Sequence, residues 1–472
     1  MSIKALGKQS LIYGLGHIMA RLITFLLLPL YTNSFNQEEY GALSLAYAFM
    51  GFALILYRYG MDTALMKYAV QLVGNERIKH ITVIIVSQVI TGFIFTITIY
   101  LFRHASASVF LGVNKPDWMV YLSIILLFDS LWNLPLLILR TEERPIPYIT
   151  LNLINVVTTM ILNIVFILYW NAGIEGVFKA NIISSGIIFF LSLPIVIRRL
   201  DLSLLDKKTF IKILYFALPF LPAGIFTMVM ELSDRYFLEW FFGTAEVGLY
   251  SAGKKMGMLG LTVVMGFNMG WTPYFLKRGK EAGARIEFSK ITTLFLGFMG
   301  YVSLLVSVWV AEIMQLSILG RTLIGHQFWE CKPVVRAILL GYFFFATYVI
   351  QLPGVYIKEI TNWVPLFRIV GAATLIFFSI FLIPYFGIMG AAYSVVFAFA
   401  AMSIAIYLKT HSIYTMNYNW YGLLIPLMCL MVIQLGFESM FSKIAISSFY
   451  PILWYVLVLN KGEKKELIGL LK

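Results

Sequence analysis

The sequence is poor in cysteine, histidine and charge. Its two cysteines, Cys331 and Cys429, stand far apart with no CxxC spacing and no histidine partner, which argues against a disulfide scaffold, a redox pair and a zinc site. The five histidines are scattered, at His17, His80, His104, His326 and His411, and no HExxH, GxSxG or Walker-type glycine loop occurs. No catalytic residue, metal site or cofactor is therefore expected, and a nucleotide-driven pump has nothing to cradle its nucleotide. Charged residues make up only 12% of the 472, against about 25% in a soluble domain. With 60% apolar and 16% aromatic residues, neither a water-soluble globule nor a disordered chain fits. A polytopic all-α membrane protein remains.

Apolar runs, each about 20 residues long as a bilayer crossing requires, can be placed along the whole chain. They fall at about 10–32, 41–59, 81–101, 118–139, 146–170 and 174–197, then at 211–233, 247–270, 291–314, 334–353, 364–384, 388–408, 419–437 and 444–459. That gives about fourteen transmembrane helices, with no gap long enough for a soluble domain. The first run is followed by Asn33-Ser34-Phe35-Asn36, not a small-residue cleavage site, so it is expected to stay as a helix. The formal charge of +13 would suggest nucleic acid in a soluble protein; here it is expected in short loops beside anionic head groups, with no nucleic-acid partner. Counting from an inside N-terminus, 25 of the 36 Lys and Arg fall on the cytoplasmic side. The bias predicts that both termini lie inside.

Three internal echoes occur in the same order at nearly constant offset. Glu39-Tyr40-Gly41 with Ser44 echoes Glu246-Val247-Gly248 with Ser251; Leu134-Pro135, Arg140 and Pro147 echo Leu352-Pro353, Lys358 and Pro365; Gly173-Ile174-Glu175-Gly176 echoes Gly387-Ile388-Met389-Gly390. The offsets of 207, 218 and 214 residues each equal six spans, an even number, so the two halves share one topology. Parallel repeats of this kind are an architecture of secondary transporters, with the site near the midplane. The expected divisions are 1–200, 201–410 and 411–472.

Ionisable residues inside spans cost about 2.5–3.5 kcal/mol each on insertion scales, so each needs a reason. Arg21 lies about 17 Å into the first span, on one face with Tyr13, His17 and Thr24, which suggests a cavity wall or an arginine paired within the bundle. Lys254 and Lys255 are adjacent and cannot face one direction. The stripe Ser251–Lys255–Thr262 nominates Lys255 as inward-facing, with Lys254 snorkelling. Arg58, near the inner interface, fits a substrate gate as well as an i,i+4 pair with Asp62. Asp129, deep in the fourth span, and Glu231 and Asp234, at the end of the seventh, are candidates for charge balance or for coupling to H⁺ or Na⁺. Asn152 and Asn155, with Thr159 and Asn163, form a stripe suited to interhelical hydrogen bonds or to sugar hydroxyls.

Arg21, Asn36-Gln37-Glu38-Glu39-Tyr40-Gly41 and Tyr59-Gly60-Met61-Asp62-Thr63-Ala64 resemble the opening of bacterial polysaccharide flippases. So do Ala217-Leu218-Pro219-Phe220-Leu221-Pro222-Ala223-Gly224, Asp234-Arg235-Tyr236, Glu246-Val247-Gly248-Leu249-Tyr250-Ser251 and Gly387-Ile388-Met389-Gly390-Ala391-Ala392. This is the O-antigen and capsule repeat-unit branch of the multidrug/oligosaccharidyl-lipid/polysaccharide exporter superfamily, similar also to lipid II flippases. The resemblance covers nearly the whole chain. It implies two pseudo-symmetric six-helix bundles in a V, two further C-terminal helices, and a cationic cavity with alternating access. The implied cargo is an undecaprenyl-diphosphate-linked oligosaccharide, with Arg21, Arg58 and Lys255 as the cavity cations. Association with a polysaccharide polymerase or glycosyltransferases is a further expectation, and the driving force is left open between an H⁺ or Na⁺ gradient and the membrane potential. The alternatives are a multidrug/cation antiporter of the same superfamily and a membrane glycosyltransferase or polymerase.

Overall fold

The computed structural model describes residues 25–318, 320–459 and 464, and is almost entirely helical. Helix α1 is described over 25–34. It is followed by α2 (Gln37–Arg58), α3 (Met61–Gln71), α4 (Gly74–Leu101), α5 (Arg103–Leu111), α6 (Pro116–Thr141), α7 (Pro145–Ile164), α8 (Gly173–Ile197), α9 (Lys207–Ala217) and α10 (Phe220–Phe242). The second half holds α11 (Thr244–Arg278), α12 (Ala284–Val308), α13 (Val310–Gln315), α14 (Lys332–Ile350), α15 (Leu352–Ile357), α16 (Trp363–Thr410), α17 (Trp420–Val432) and α18 (Met440–Leu457). A short antiparallel pair, β1 (Ser317–Ile318) and β2 (Arg321–Thr322), decorates the loop before α14.

Among the described residues, ten helices are long and apolar enough to cross a membrane. One of these, α16, contains two of the expected runs, which meet where Gly387 takes φ 53° and ψ −130°. The pattern is compatible with about fourteen spans. The run expected at 211–233 is divided: α9 is a separate helix, capped by Asp206 and stopped before Pro219. The Asp206 carboxylate accepts from the Thr209 hydroxyl and from the backbone N–H of Lys208 and Thr209, and lies 3.2 Å from Lys79. These donors, the Thr209 hydroxyl first, hold its carboxyl well below the usual range. A depressed carboxyl contributes its stability above the unfolded value of about 3.9 and loses it only as pH falls toward the folded value. Amide exchange across 209–213 should therefore stay slow from pH 7 to pH 4. It should speed up in Asp206→Ala and much less in Asp206→Asn, because asparagine still caps.

The chain divides into two compact units, one ending at Gly248 and one beginning at Leu249. In the first, α6 is the hub, packing on α2, α3, α4, α5, α7 and α8. Its end is tied by Glu142, whose carboxylate takes a two-pronged hydrogen bond from Arg199 at 2.6 Å for each prong and a longer contact of 3.4 Å from Arg77. One carboxylate thereby joins α6 to the segments at the ends of α4 and α8, a fork geometry that lysine could not supply. In the second unit α12 and α14 are central, and α17 and α18 both pack on α12. Glycines make room: a Cβ on Gly297 would meet the Trp454 ring at 2.2 Å, and one on Gly300 would meet Pro426 at 2.6 Å. Small residues that admit close packing are what helix association in lipid relies on.

The internal echoes have physical counterparts. At the start of α2, Asn36 and Glu39 form a reciprocal capping box, with bonds of 2.8 and 3.0 Å. The following Gly41 packs backbone to backbone against the start of α11: its Cβ would lie 1.8 Å from Thr244 O, and a Cβ on Gly248 would lie 1.9 Å from Gln37 O. These two contacts map onto each other by the same 207-residue offset. Gly173 and Gly387, the third echo, both take positive φ, at 57° and 53°. Pro147 and Pro365 are each the third residue of their helices, α7 and α16. The repeat therefore marks caps, breaks and close crossings that each half must make.

Candidate functional site

Arg58 ends α2, and the chain turns at once. Tyr59 and Gly60 both adopt left-handed backbone, with φ 30° and 82°, and a Cβ on Gly60 would fall 2.1 Å from Ala217 O. Only glycine fits that second position. The corner throws α3 off at an angle and leaves an open cavity of about 340 Å³ between α2, α3 and α10. Arg58, Asp62 and Thr63 line it on one side, and Leu221, Gly224 and Met228 on the other. The Asp62 carboxylate accepts from the backbone N–H of Thr63 at 2.8 Å, which fixes its direction at the start of α3. Arg58 is half-buried, its Nε has no hydrogen-bond partner, and its charge is felt by Asp62 and by Asp129 on α6. Among the described residues Arg58 makes no ion pair, so its guanidinium, at the cavity wall, can bind an anion without first breaking one.

Behind the cavity a polar chain runs through the first unit. Asp129 accepts from Ser185 Oγ of α8 at 2.6 Å and from Trp132 Nε1 at 2.8 Å. Asn181, one turn before Ser185, donates to the Tyr47 hydroxyl at 3.2 Å, and Tyr31 donates to Asn163 at 2.9 Å. Ser185, Asn181, Tyr47 and Tyr31 were not singled out in the sequence. The i,i+4 spacing of Asn181 and Ser185 on an otherwise apolar helix was the available signal. In the α7 stripe, Thr159 bonds Ser184 at 2.8 Å and Asn163 is wholly buried, so these two serve interhelical bonding. Asn152 donates to Tyr148 O within its own helix at 2.8 Å, and Asn155 is half-buried, with its carbonyl taken by Ser184.

In the second unit, α11 packs its Gly253–Gly257–Gly260 face on α14, where Cβ atoms would approach Val334, Ile338 and Leu339 to within 2.6–3.0 Å. At 100° per residue, Lys255 points nearly opposite that face, as Ser251 and Thr262 do. Lys255 is half-buried. Lys254 does not snorkel as expected: it is 5% exposed, and its ammonium lies 5.7 Å from the Tyr250 ring centroid. In the first unit, Asp234 is fully buried and accepts from the backbone N–H of Arg235 at 2.9 Å, while Glu231 is exposed. His17 and Arg21 lie outside the described residues. Among the described residues, no group of three or more His, Cys, Asp or Glu could hold a metal ion.

A family model described as polysaccharide biosynthesis protein matches residues 6–278, more than half of the chain. An uncharacterised membrane protein of Haemophilus influenzae is 25% identical over 394 residues, covering 81% of this chain and 94% of its own. A second Haemophilus influenzae protein, described as Lsg locus putative protein 1, is 21% identical over 394 residues, again 81% of this chain and 94% of its own. Among solved structures, the inward closed conformation of the lipid II flippase MurJ superposes with a TM-score of 0.75 at 14% identity, over 94% of this chain and 98% of that one. An inward-facing multidrug resistance MATE transporter of the MOP superfamily gives 0.64 at 14% identity, over 89% and 100%. The chain therefore shares the fold of these two structures.

Proposed function

We propose that this chain, which belongs to the polysaccharide biosynthesis protein family, is a flippase for an undecaprenyl-diphosphate-linked oligosaccharide. It would move the repeat unit from the inner to the outer leaflet of the plasma membrane by alternating access, with both termini cytoplasmic and without chemistry on the cargo. The observation that carries this reading is Arg58: a cation with an unbonded Nε, lining a cavity of about 340 Å³ within an apolar helical unit. A diphosphate brings about two negative charges, and carrying them bare through hydrocarbon would cost tens of kcal/mol. Arg21, Arg58 and Lys255 are the side chains that would replace the lost hydration. Asn152 and Asn155, with His17 and Lys254, would meet sugar hydroxyls or the second phosphate. Asp62 and Asp129 balance Arg58 and are the candidates for ion coupling, ahead of Glu231 and Asp234. Residues 1–200 and 201–410 act as the two repeat halves, and 411–472 as an added pair of helices with a tail.

The geometry favours this over a multidrug/cation antiporter, since a guanidinium lining the first-unit cavity repels a cationic drug. A membrane glycosyltransferase or polymerase would need paired carboxylates near an interface. Deleting the gene in its native host should abolish the polymerised surface polysaccharide and leave lipid-linked repeat units on the inner leaflet. Normal polymer in the deletion strain would refute the proposal, and so would a drug-sensitive deletion strain with normal polymer. Cells in which the polymerase or glycosyltransferases co-purify with the protein would support its place in such an assembly.

A further inference from the structure

In the second unit the turn between α11 and α12 packs on the end of α15. Gly279 permits the contact: a Cβ there would lie 2.2 Å from Ile357 Cδ1 and 2.6 Å from Phe275 O. Residues 279–286 with Ile357, Lys358 and Tyr414 line an open cleft of about 640 Å³, within the range of ligand pockets. The cleft lies at the edge of the apolar layer. Of the stretches long and apolar enough to cross a membrane, Ala284–Val308 begins at it and His326–Ile357 ends at it. Ile286 in its lining is 65% exposed, and Leu276, one turn before Gly279, is 52% exposed. Lipid head groups and the first carbons of their chains meet at this level.

The lining carries an excess of positive charge. Lys280, Arg285 and Lys358 are all exposed, and among the described residues none of them makes an ion pair. Glu281, the acidic side chain in the lining, has its carboxylate 3.3 Å from Arg278. Buried groups set where these cations stand. Tyr414, 4% exposed, donates its hydroxyl to Gly279 O at 3.1 Å, and the Arg285 guanidinium lies 4.8 Å from its ring centroid. Lys280 and Lys358 directly follow Gly279 and Ile357, the two residues in contact, so the packing brings both lysines to one cleft. Like charges gathered there repel one another until an anion joins them.

We propose that this cleft holds the head group of an anionic phospholipid of the phosphatidylglycerol type, its phosphodiester among Lys280, Arg285 and Lys358 and its chains along Ile286. The phosphodiester is ionised at neutral pH, and guanidinium and ammonium groups are the side chains that bind it. Phosphatidylcholine is disfavoured, because its head group brings a cation of its own into a cleft already rich in them. A lipid seated there clamps the α11–α12 turn to the end of α15. The site lies in the second unit and needs no lipid-linked sugar, so it stands or falls separately from the flippase reading.

The test is photolabelling of the full-length protein in phosphatidylcholine liposomes containing phosphatidylglycerol with a diazirine early in one chain. The peptide holding Ile286 should take up about tenfold more label than from phosphatidylcholine carrying the same group. Unlabelled phosphatidylglycerol should suppress this labelling, and glycerol phosphate, which lacks the chains, should not. Lys280→Gln combined with Lys358→Gln, and separately Arg285→Gln, should each lower it about tenfold. Labelling of α9, another basic stretch with Lys207, Lys208 and Lys212, should stay unchanged in both. The substituted side chains are exposed, and thermal melting checks that each variant is folded. Equal labelling by phosphatidylcholine, unchanged labelling in both folded variants, or an equal fall on α9 would overturn the proposal. Suppression by glycerol phosphate would overturn it too, by assigning the cleft to a soluble phosphate.

Discussion

Alanine at both Arg58 and Lys255 should lower translocation of a diphosphate-linked oligosaccharide about a thousandfold, with folded protein still present in the membrane. A charge-assisted hydrogen bond to phosphate is worth about 1.5–3 kcal/mol after competition with water. Two such losses, about 4 kcal/mol together, correspond to roughly a thousandfold. Arg58→Ala also strips a positive charge from beside Asp62 and Asp129, so Arg58→Lys is the informative companion. It keeps the charge but loses the fork, and should recover part of the activity. Adding Arg21→Ala should leave no measurable transport. The readout is flipping in liposomes, scored against the amount of folded protein by thermal melting. Near-normal flipping in the folded double variant would remove the cationic site from the account.

Valine in place of Gly41 or Gly248 should have an effect of similar size through a different cause. Here two helix starts touch through their backbones, and a Cβ would lie 1.8 or 1.9 Å from a carbonyl oxygen. Neither a rotamer change nor a small shift relieves that overlap, so the helices must separate, at a cost of about 3 kcal/mol for each substitution. Gly41→Val and Gly248→Val should each lower the melting temperature markedly and abolish surface polysaccharide. The two contacts are related by the repeat, so the variants should resemble each other. A strong defect in one and none in the other would show that the two contacts are not equivalent.

Much of the fold was legible because membrane spans announce themselves by length and apolar content, and because glycines and prolines at strained positions repeat. The capping box at Asn36 and Glu39, the corner at Tyr59-Gly60 and the break at Gly387 each sit on a motif visible in the sequence. The short helices α3, α5 and α9 were hidden, because hydropathy does not separate a short helix from the long one it adjoins. At Leu218-Pro219 a single apolar run covers two helices. The site was legible only in part. The four-residue spacing offered an Arg58–Asp62 pair, but α2 stops at Arg58 and the Tyr59-Gly60 corner breaks the helical register between them; the neighbours of Asp129 come from other helices, and no spacing rule reaches across them. For the lysines, the Ser251–Lys255–Thr262 stripe found the face of α11 opposite its glycines, whereas the enclosure of Lys254 depends on tertiary packing.

The most direct test of the cationic flippase site uses purified protein in sealed liposomes, offered two substrates in parallel: a fluorescent undecaprenyl-diphosphate disaccharide and the cationic dye ethidium. A cationic flippase site should equilibrate the anionic lipid between leaflets within minutes and leave ethidium where it was. Ethidium transport, with the diphosphate lipid held in its original leaflet, would contradict it.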